Sequence, residues 1–462
     1  MCSWRWLVDA APALLRAAEA VPGGSTLAHW IVRESFFAHF CGGESVEDVG
    51  AAMDAMRRAG LGAILDISIE ADLGHGSGNS ETDLAAADAA ADRAAAMFTA
   101  SVDAAGNHPG ACIAVKVTAL GPPAALRSVS GAIARAIRLL DAAGPDGMSR
   151  AAWTAAYPGP AAAALYTAVE AASGKRETAT TAGLITILSR DPTAHLAALG
   201  LEPADAHAFE HLVSRLHDLC AHAATRGVGL MVDAEQTYFQ DAIDVAALAM
   251  SRQFNGSNGG KPVVFNTYQQ YLKDALPRLE RDLAVSEREG WHFAAKLVRG
   301  AYMVSERAKA DREGYSSPIH DSIQDTHAAY DAAVDRMLAR IRAQAAGQVK
   351  AGATAMVATH NRGSVVRTVR EMAGTADAPA VPHERVMFGQ LMGMHDLTGY
   401  ALANNGFRIY KYLPYGPVGE VIPYLLRRAQ ENSGMLGGAN FDKQLLWHEL
   451  VCRVQETKAV VA

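Results

Sequence analysis

The stretch TAMVATHNRGSVVRTVREM, residues 354–372, contains one complete unit of the fold. Its opening residues form an apolar run of strand length that ends in Thr359 and His360, and from Gly363 to Met372 the apolar residues recur at helical spacing. A strand followed at once by an amphipathic helix is the building block of parallel α/β architecture, because the helix covers the face of the sheet that water would otherwise meet. The same order recurs in both directions. Upstream, AILDISI (63–69), CIAVKVTAL (112–120), GVGLMVDAE (227–235), PVVFNTY (262–268) and HFAAKLVRG (292–300) read as strands; downstream, RVMFGQL (385–391) and FRIYKYL (407–413) do. Thr82–Ala105, Ala204–Thr225, Gln269–Arg288 and Asp321–Ala345 supply helical patterns between them.

Eight such units predict an α/β protein of the (βα)8 TIM-barrel type, whose working face lies at the C-terminal ends of the strands. An open, doubly wound sheet is the rival architecture. Lys116, Asp233, Glu235, Asn266, Lys296, Arg299, Thr359, His360, Gln390 and Tyr412 are all expected in the second half of their strand or just past it, where the barrel rule wants polar groups. Two additions distort the repeat. Residues 1–60 read as a helical segment before the first strand, and 121–205 is too long for a plain crossover and predicts a helical insertion after the second strand. The barrel domain is thus expected over 61–440, with 441–462 as a tail. Inside the insertion, Ala151–Val169 is uncharged and of bilayer length, but Pro158-Gly159-Pro160 divides it into two buried helical pieces.

Composition narrows the function classes. Half the residues are hydrophobic and a fifth charged, and 42 basic against 49 acidic residues leave a net charge of −7, with no basic surplus for nucleic acid. The five cysteines are dispersed without a CxxC pair, which argues against a zinc site or disulfide framework and fits a reducing compartment. Two decoys are set aside. Asp141–Gly147 resembles a calcium loop, but Ala142 and Trp153 stand where its acidic anchors belong, so no metal is expected. Gly74-His-Gly76-Ser-Gly78 lacks the spacing of a dinucleotide loop. At the N-terminus, Arg5 and Arg16 are offset by Asp9 and Glu19, a weak targeting signal.

Chemistry concentrates near the C-terminus. On a helix, Tyr424, Arg427, Arg428 and Glu431 fall at i, i+3, i+4 and i+7 and share one face, where paired guanidiniums make a fork for a carboxylate. A solvated charged face would look the same. Lys116 lies in an apolar strand and needs an anion, either Asp233 or a substrate carboxylate. In Lys296-Leu-Val-Arg299-Gly300 a cation could stabilise charge arriving on a cofactor and the glycine could admit a ligand to the backbone; a strand-end ion pair is the alternative. Ala358-Thr-His-Asn361 is a small polar cluster suited to bonding a cofactor, although a lone His360 is as readily structural.

Taken together, VKVTALG, VDAEQTYFQ, FNTYQQYLKDA, KLVRGAYMVSER, ATHN, FGQLMGM and the Tyr412–Asn432 segment resemble the proline dehydrogenase family, especially its eukaryotic branch. The resemblance implies a distorted barrel with non-covalent FAD at the strand ends, oxidation of L-proline to 1-pyrroline-5-carboxylate, and a quinone as electron acceptor. It further implies that Arg427, Arg428 and Lys116 grip the substrate carboxylate. Tyr302, Leu391, Tyr412 and Tyr424 would shape the pocket, and Asp233 would brace Tyr412. Asn266, Lys296, Val298, Gly300, Thr359, His360, Asn361 and Glu431 would contact FAD. Bacterial members carry arginine where Lys296 stands and glutamine where Asn266 stands. A tyrosine at 412 goes with proline and a smaller residue with hydroxyproline, so the hydroxyproline enzyme is the nearer alternative. A mitochondrial location, with possible peripheral association with the inner membrane, follows from the eukaryotic type. From the residues alone, a Schiff-base lyase using Lys116 or Lys296 and a non-enzymatic barrel remain as rivals.

Overall fold

The computed structural model describes residues 23–67, 81–256, 261–374 and 379–434, with isolated positions before and after them. The Gly74–Gly78 stretch lies outside the described residues. Eight parallel strands close into a barrel in sequence order: β1 (Gly62–Ile67), β2 (Cys112–Val115), β3 (Gly229–Val232), β4 (Val264–Gln269), β5 (Phe293–Val298), β6 (Ala353–Ala358), β7 (Val386–Leu391) and β8 (Arg408–Tyr415). β1 closes on β8 with Ile64 opposite Tyr412 and Ile67 opposite Tyr415. Closure excludes the doubly wound alternative, since an open sheet would leave β1 and β8 as edges.

The strands are apolar on both faces because both are covered, from inside by the barrel's own side chains and from outside by helices. Ile64, Cys112, Ala114, Met231, Phe265, Ala294, Met356, Met387 and Tyr410 form the inner cluster. Leu65, Ile113, Leu230, Val264, Phe293, Ala355, Phe388 and Ile409, one residue out of phase, belong to the larger cluster beneath the helices. This alternation determines which polar residues face the site. Asp66, Thr267, Lys296 and Tyr412 are in phase with the inner set; Asn266, Gln390 and Lys411 are not.

Two expected boundaries are corrected. CIAVKVTAL is not one strand: β2 stops at Val115, and Val117–Ala119 turn as a 3-10 helix, so Lys116 stands at the barrel rim. The helix expected from Gln269 begins at Ala275, because Gln269 completes β4 and the residues after it turn. Asn266 also sits in the first half of its strand, not the second.

Helices Pro123–Ala142, Arg150–Ala156, Pro160–Ser173, Thr181–Arg190 and Pro203–Arg226 lie between β2 and β3. The uncharged Ala151–Val169 run is indeed two helices, anchored by Trp153 and Tyr166, whose rings lie 6.2 Å apart and are fully buried. Asp141, in the calcium-loop decoy, is taken by the Thr181 hydroxyl at 2.5 Å. No described helix is long and apolar enough to cross a membrane. Before β1, a π-helical turn over Arg33–Phe37 leads to Phe40 and Cys41, and these bury Phe37, Phe40 and Cys41 against Val421, Tyr424 and Leu425 of the last helix, Val418–Gly434.

Behind β4 one buried carboxylate gathers several polar partners. Asp244, on helix Thr237–Phe254, accepts from Asn266 at 3.0 Å, Gln240 at 2.7 Å and Arg278 at 2.6 Å. Arg278 belongs to the next helix, Ala275–Glu289, so one buried carboxylate joins a strand to two helices. Removing it leaves a buried guanidinium without its nearest counter-charge. Asp244→Ala is expected to cost about 3–5 kcal/mol of stability, read from urea midpoints, and the Asp244→Ala/Arg278→Met double variant to recover part of it.

Candidate active site

The inward phase of the pleat brings four charges to the C-terminal mouth of the barrel. The Lys116 ammonium donates to Asp66 at 2.8 Å, and the Lys296 ammonium donates to Asp233. Asp233 also accepts the Tyr412 hydroxyl at 2.8 Å, and Lys296 stands 5.5 Å from the centroid of the Tyr412 ring. The expected pairing of Lys116 with Asp233 is therefore corrected. Lys116 reaches across to β1, whose Asp66 pairs in register with Ala114 of β2, while Lys296 takes Asp233.

Burial alone would lower the lysine pKa at position 116, but the carboxylates of Asp66 and Asp233 more than offset this and hold Lys116 as an ammonium. Asp233 is likewise opposed by burial, yet Lys296 and Lys116 keep it below the ordinary carboxylate range. Tyr412, partly buried and facing Asp233 and Asp66, is pushed far up by desolvation and those carboxylates and stays a neutral donor. Glu235, just past β3, is clamped by the Thr118 amide at 3.1 Å and the Thr118 hydroxyl at 2.6 Å, tying the rims of β2 and β3 together.

The last helix closes over this cluster. Tyr424 and Arg428 are buried on it, and the Arg428 guanidinium lies 5.1 Å from the Tyr424 ring centroid. Arg427 is near enough to Tyr302 to lower its hydroxyl pKa against the upward push of burial, Glu235 and Asp233; Lys116 acts on the same hydroxyl. Tyr424 in turn acts on Tyr412. Arg427 and Lys116 thus act on the same Tyr302 hydroxyl, while Arg428 lies beside Tyr424 and acts on His360. Leu391, at the end of β7, packs on the Tyr424 cluster. The side chain of Glu431 lies outside the described residues.

The neighbouring half of the mouth is a cradle. Gln269 is in register with Val298 and inward, its amide nitrogen donating to the Glu235 carbonyl at 2.8 Å. Arg299 reaches Thr359 at 2.7 Å, Ser364 at 3.0 Å and His327 at 3.0 Å, all neutral partners; burial lowers the arginine's pKa and that of His327. Thr359 Oγ1 also accepts the Asn361 amide at 3.0 Å, and Asn361 caps helix Arg362–Ala373 through Ser364. A cation bonded to neutral groups beside a helix N-terminus suits a phosphate-bearing cofactor. Two expectations change here. Asn266 turns outward to Asp244, and the inward polar residue of β4 is Gln269. Gly300 serves the protein itself: at φ 138° a Cβ would lie 2.4 Å from the Tyr271 ring. Asp66 and Gln269 were missed, although each is a polar residue at an inward position of its strand. Among the described residues no His, Cys, Asp and Glu cluster could hold a metal.

The sequence profile of the family described as "Proline dehydrogenase" matches residues 49–440. "Proline dehydrogenase 1, mitochondrial" of Homo sapiens is 46% identical over 244 residues, which is 53% of this chain and 39% of that protein. The corresponding protein of Caenorhabditis elegans is 44% identical over 247 residues, covering 38% of its own length, so these matches span under half of each relative. "Hydroxyproline dehydrogenase" of Xenopus laevis is 31% identical over 457 residues, 98% of this chain and 85% of that protein. Among solved structures, proline utilization A from Bdellovibrio bacteriovorus inactivated by N-propargylglycine superposes with a TM-score of 0.59 at 17% identity, over 88% of this chain and 34% of that one. This last likeness concerns the fold.

His360 gives a pH test. Its Nε2 accepts the Leu391 amide at 2.9 Å, so the ring is neutral with its proton on Nδ1, and burial together with His395, Lys411 and Arg428 lowers its pKa to about 3. Below the ordinary histidine pKa the unfolded chain takes up a proton that the folded one refuses. Stability is therefore complete above about pH 6.5 and falls by roughly 1.4 kcal/mol per pH unit as pH drops from there toward the folded value. In urea titrations across this range, His360→Gln should show a shallower decline than the parent.

Proposed function

The chain belongs to the proline dehydrogenase family, and on that premise we propose that it oxidises L-proline to 1-pyrroline-5-carboxylate with FAD as cofactor and a quinone as final acceptor. The observation that supports this reading is that two cation sources act on one group: Lys116 at the rim of β2 and Arg427 on the last helix both act on the Tyr302 hydroxyl, with Arg428 next in sequence and beside Tyr424. A small imino acid has one carboxylate to be held and one ring to be aimed, and this mouth offers cations for the first and aromatic walls for the second.

Arg427 and Arg428 bind the carboxylate in bidentate fashion, and Lys116 donates a third bond. Tyr302, Tyr412, Tyr424 and Leu391 enclose the ring, with Tyr412 kept in place by Asp233. Lys296 and Gln269 would serve the electron-accepting part of the cofactor, and Arg299, Thr359 and the helix capped by Asn361 would hold its phosphates. Val298, in register with Gln269, would line the cofactor, His360 supports the cradle wall through Leu391, and Glu431 is assigned to the cofactor by resemblance. When bound, FAD supplies a two-electron acceptor that takes the hydride from proline C5 and yields the electron pair to a quinone. The residues of the chain orient the C5–H bond and exclude water by closing the last helix over it.

Tyr412, held by Asp233, favours proline over hydroxyproline by the family pattern that pairs a tyrosine here with proline. The match to a hydroxyproline dehydrogenase over 98% of this chain makes hydroxyproline the competing substrate. We further propose one barrel domain over 61–440 with its insertion at 121–205, a helical lead at 1–60, a tail at 441–462, and a mitochondrial setting like that in the names of the relatives, with peripheral association with the inner membrane.

Anaerobic titration with proline should bleach the flavin absorbance of the purified protein, and hydroxyproline should bleach it only at much higher concentration; a colourless protein would end the proposal. Arg427→Met and Arg428→Met should each weaken proline binding by about 2–5 kcal/mol, seen as a raised KM with flavin content retained. An unchanged KM in both would remove the carboxylate role.

A further inference from the structure

Lys116 is a primary amine held beside the place where, on the proline reading above, an electrophilic imine is made. The carbon that proline oxidation leaves at C5 is doubly bonded to nitrogen, and a neutral lysine attacks such carbons. The lysine nitrogen would bond to C5, the bond between C5 and the ring nitrogen would break, both protons of the neutral lysine nitrogen would pass in turn to the ring nitrogen, which leaves as the free α-amine, and the product would stay attached to the protein as an open-chain imine. Burial promotes this hazard, since it favours the uncharged amine.

We propose that Asp66 is a positioning residue that keeps Lys116 an ammonium, leaving it a donor to the substrate carboxylate and denying it the lone pair that would capture the product. The geometry is specific. Asp66 is 3% exposed on the inward phase of β1, and its Oδ1 accepts from Lys116 at 2.8 Å. The other charged or titratable groups acting on Lys116 are less suited to the task. Asp233 on β3 is already bonded to Lys296 of β5 and to Tyr412 of β8. Glu235, past β3, is spent on Thr118, and Tyr302, before helix Met303–Glu313, is a neutral phenol. Burial and Asp233 raise the Asp66 carboxyl while Lys116 draws it down, so Asp66 depends on the pair as much as the lysine does. The inference rests on the proline-oxidising reading, and it adds a residue for which that reading has no role.

The test compares the flavin-loaded parent protein with Asp66→Asn and with the Asp66→Asn/Lys116→Arg double variant, because a guanidinium stays charged and does not form imines. In the parent, kcat/KM for proline should show no alkaline loss attributable to Lys116 from about pH 7 to about pH 9. In Asp66→Asn it should fall about tenfold per pH unit above the lowered lysine pKa, because the cation is lost as pH rises through that value. The double variant should lose this fall. Incubation with 1-pyrroline-5-carboxylate and cyanoborohydride, followed by peptide mass spectrometry, should place one product plus two hydrogens on Lys116 of Asp66→Asn and not on the parent. An Asp66→Asn protein with the parent's pH profile and no adduct would overturn the inference, as would an adduct on the parent's Lys116. If Asp66→Asn fails to fold, Asp66→Glu and the parent decide: both should resist the adduct, and modification of either at Lys116 overturns the inference. A parent protein that neither bleaches with proline nor turns it over would instead strike the underlying proline reading, which separates the two failures.

Discussion

A buried ammonium needs a carboxylate within bonding distance, and at the mouth of this barrel that requirement organises the chemistry. Lys116 and Asp66 form one pair, Lys296 and Asp233 another, and Tyr412 joins the second through its hydroxyl. Two cations and two anions leave the cluster without net charge, so the barrel tolerates it in a region where an isolated lysine would lose its proton. Arg427 and Arg428 are the added charge, and they arrive on a helix outside the strand array.

The helix carrying those arginines is held from two sides. Beneath it, Tyr424 meets the mouth and Leu391; above it, Phe37, Phe40 and Cys41 of the N-terminal segment bury their side chains against Val421 and Leu425. His39 also bonds the Gly393 carbonyl at 2.9 Å, linking the segment to the loop after β7. The N-terminal lead thus takes part in the site without contributing a polar group to it.

Much of the fold was legible in the chain because period and length are local properties. All eight strand segments were recognised, and the proline-interrupted Ala151–Val169 run resolved into two helices for the reason its sequence suggested. The site was legible in part. Lys116, Asp233 and Tyr412 stand out as polar residues among apolar neighbours, and all three lie at the mouth. Asn266 stands out in the same way yet turns outward to Asp244, while Gln269, three residues on, faces in. A polar residue in a strand covered on both sides reveals no face, because the alternation that marks one is missing from its neighbours.

The order of strands and helices, the helical insertion and the identity of the charged residues were determined by the sequence itself, through turn chemistry, hydrophobic period and the cost of burying charge. The partners were decided by the tertiary structure alone. Asp66 and Lys116 are fifty residues apart and Asp233 and Lys296 sixty-three, and either aspartate would have satisfied either lysine on chemical grounds. Only barrel closure, which sets the phase of each strand against its neighbours, selects which carboxylate lies at 2.8 Å from Lys116.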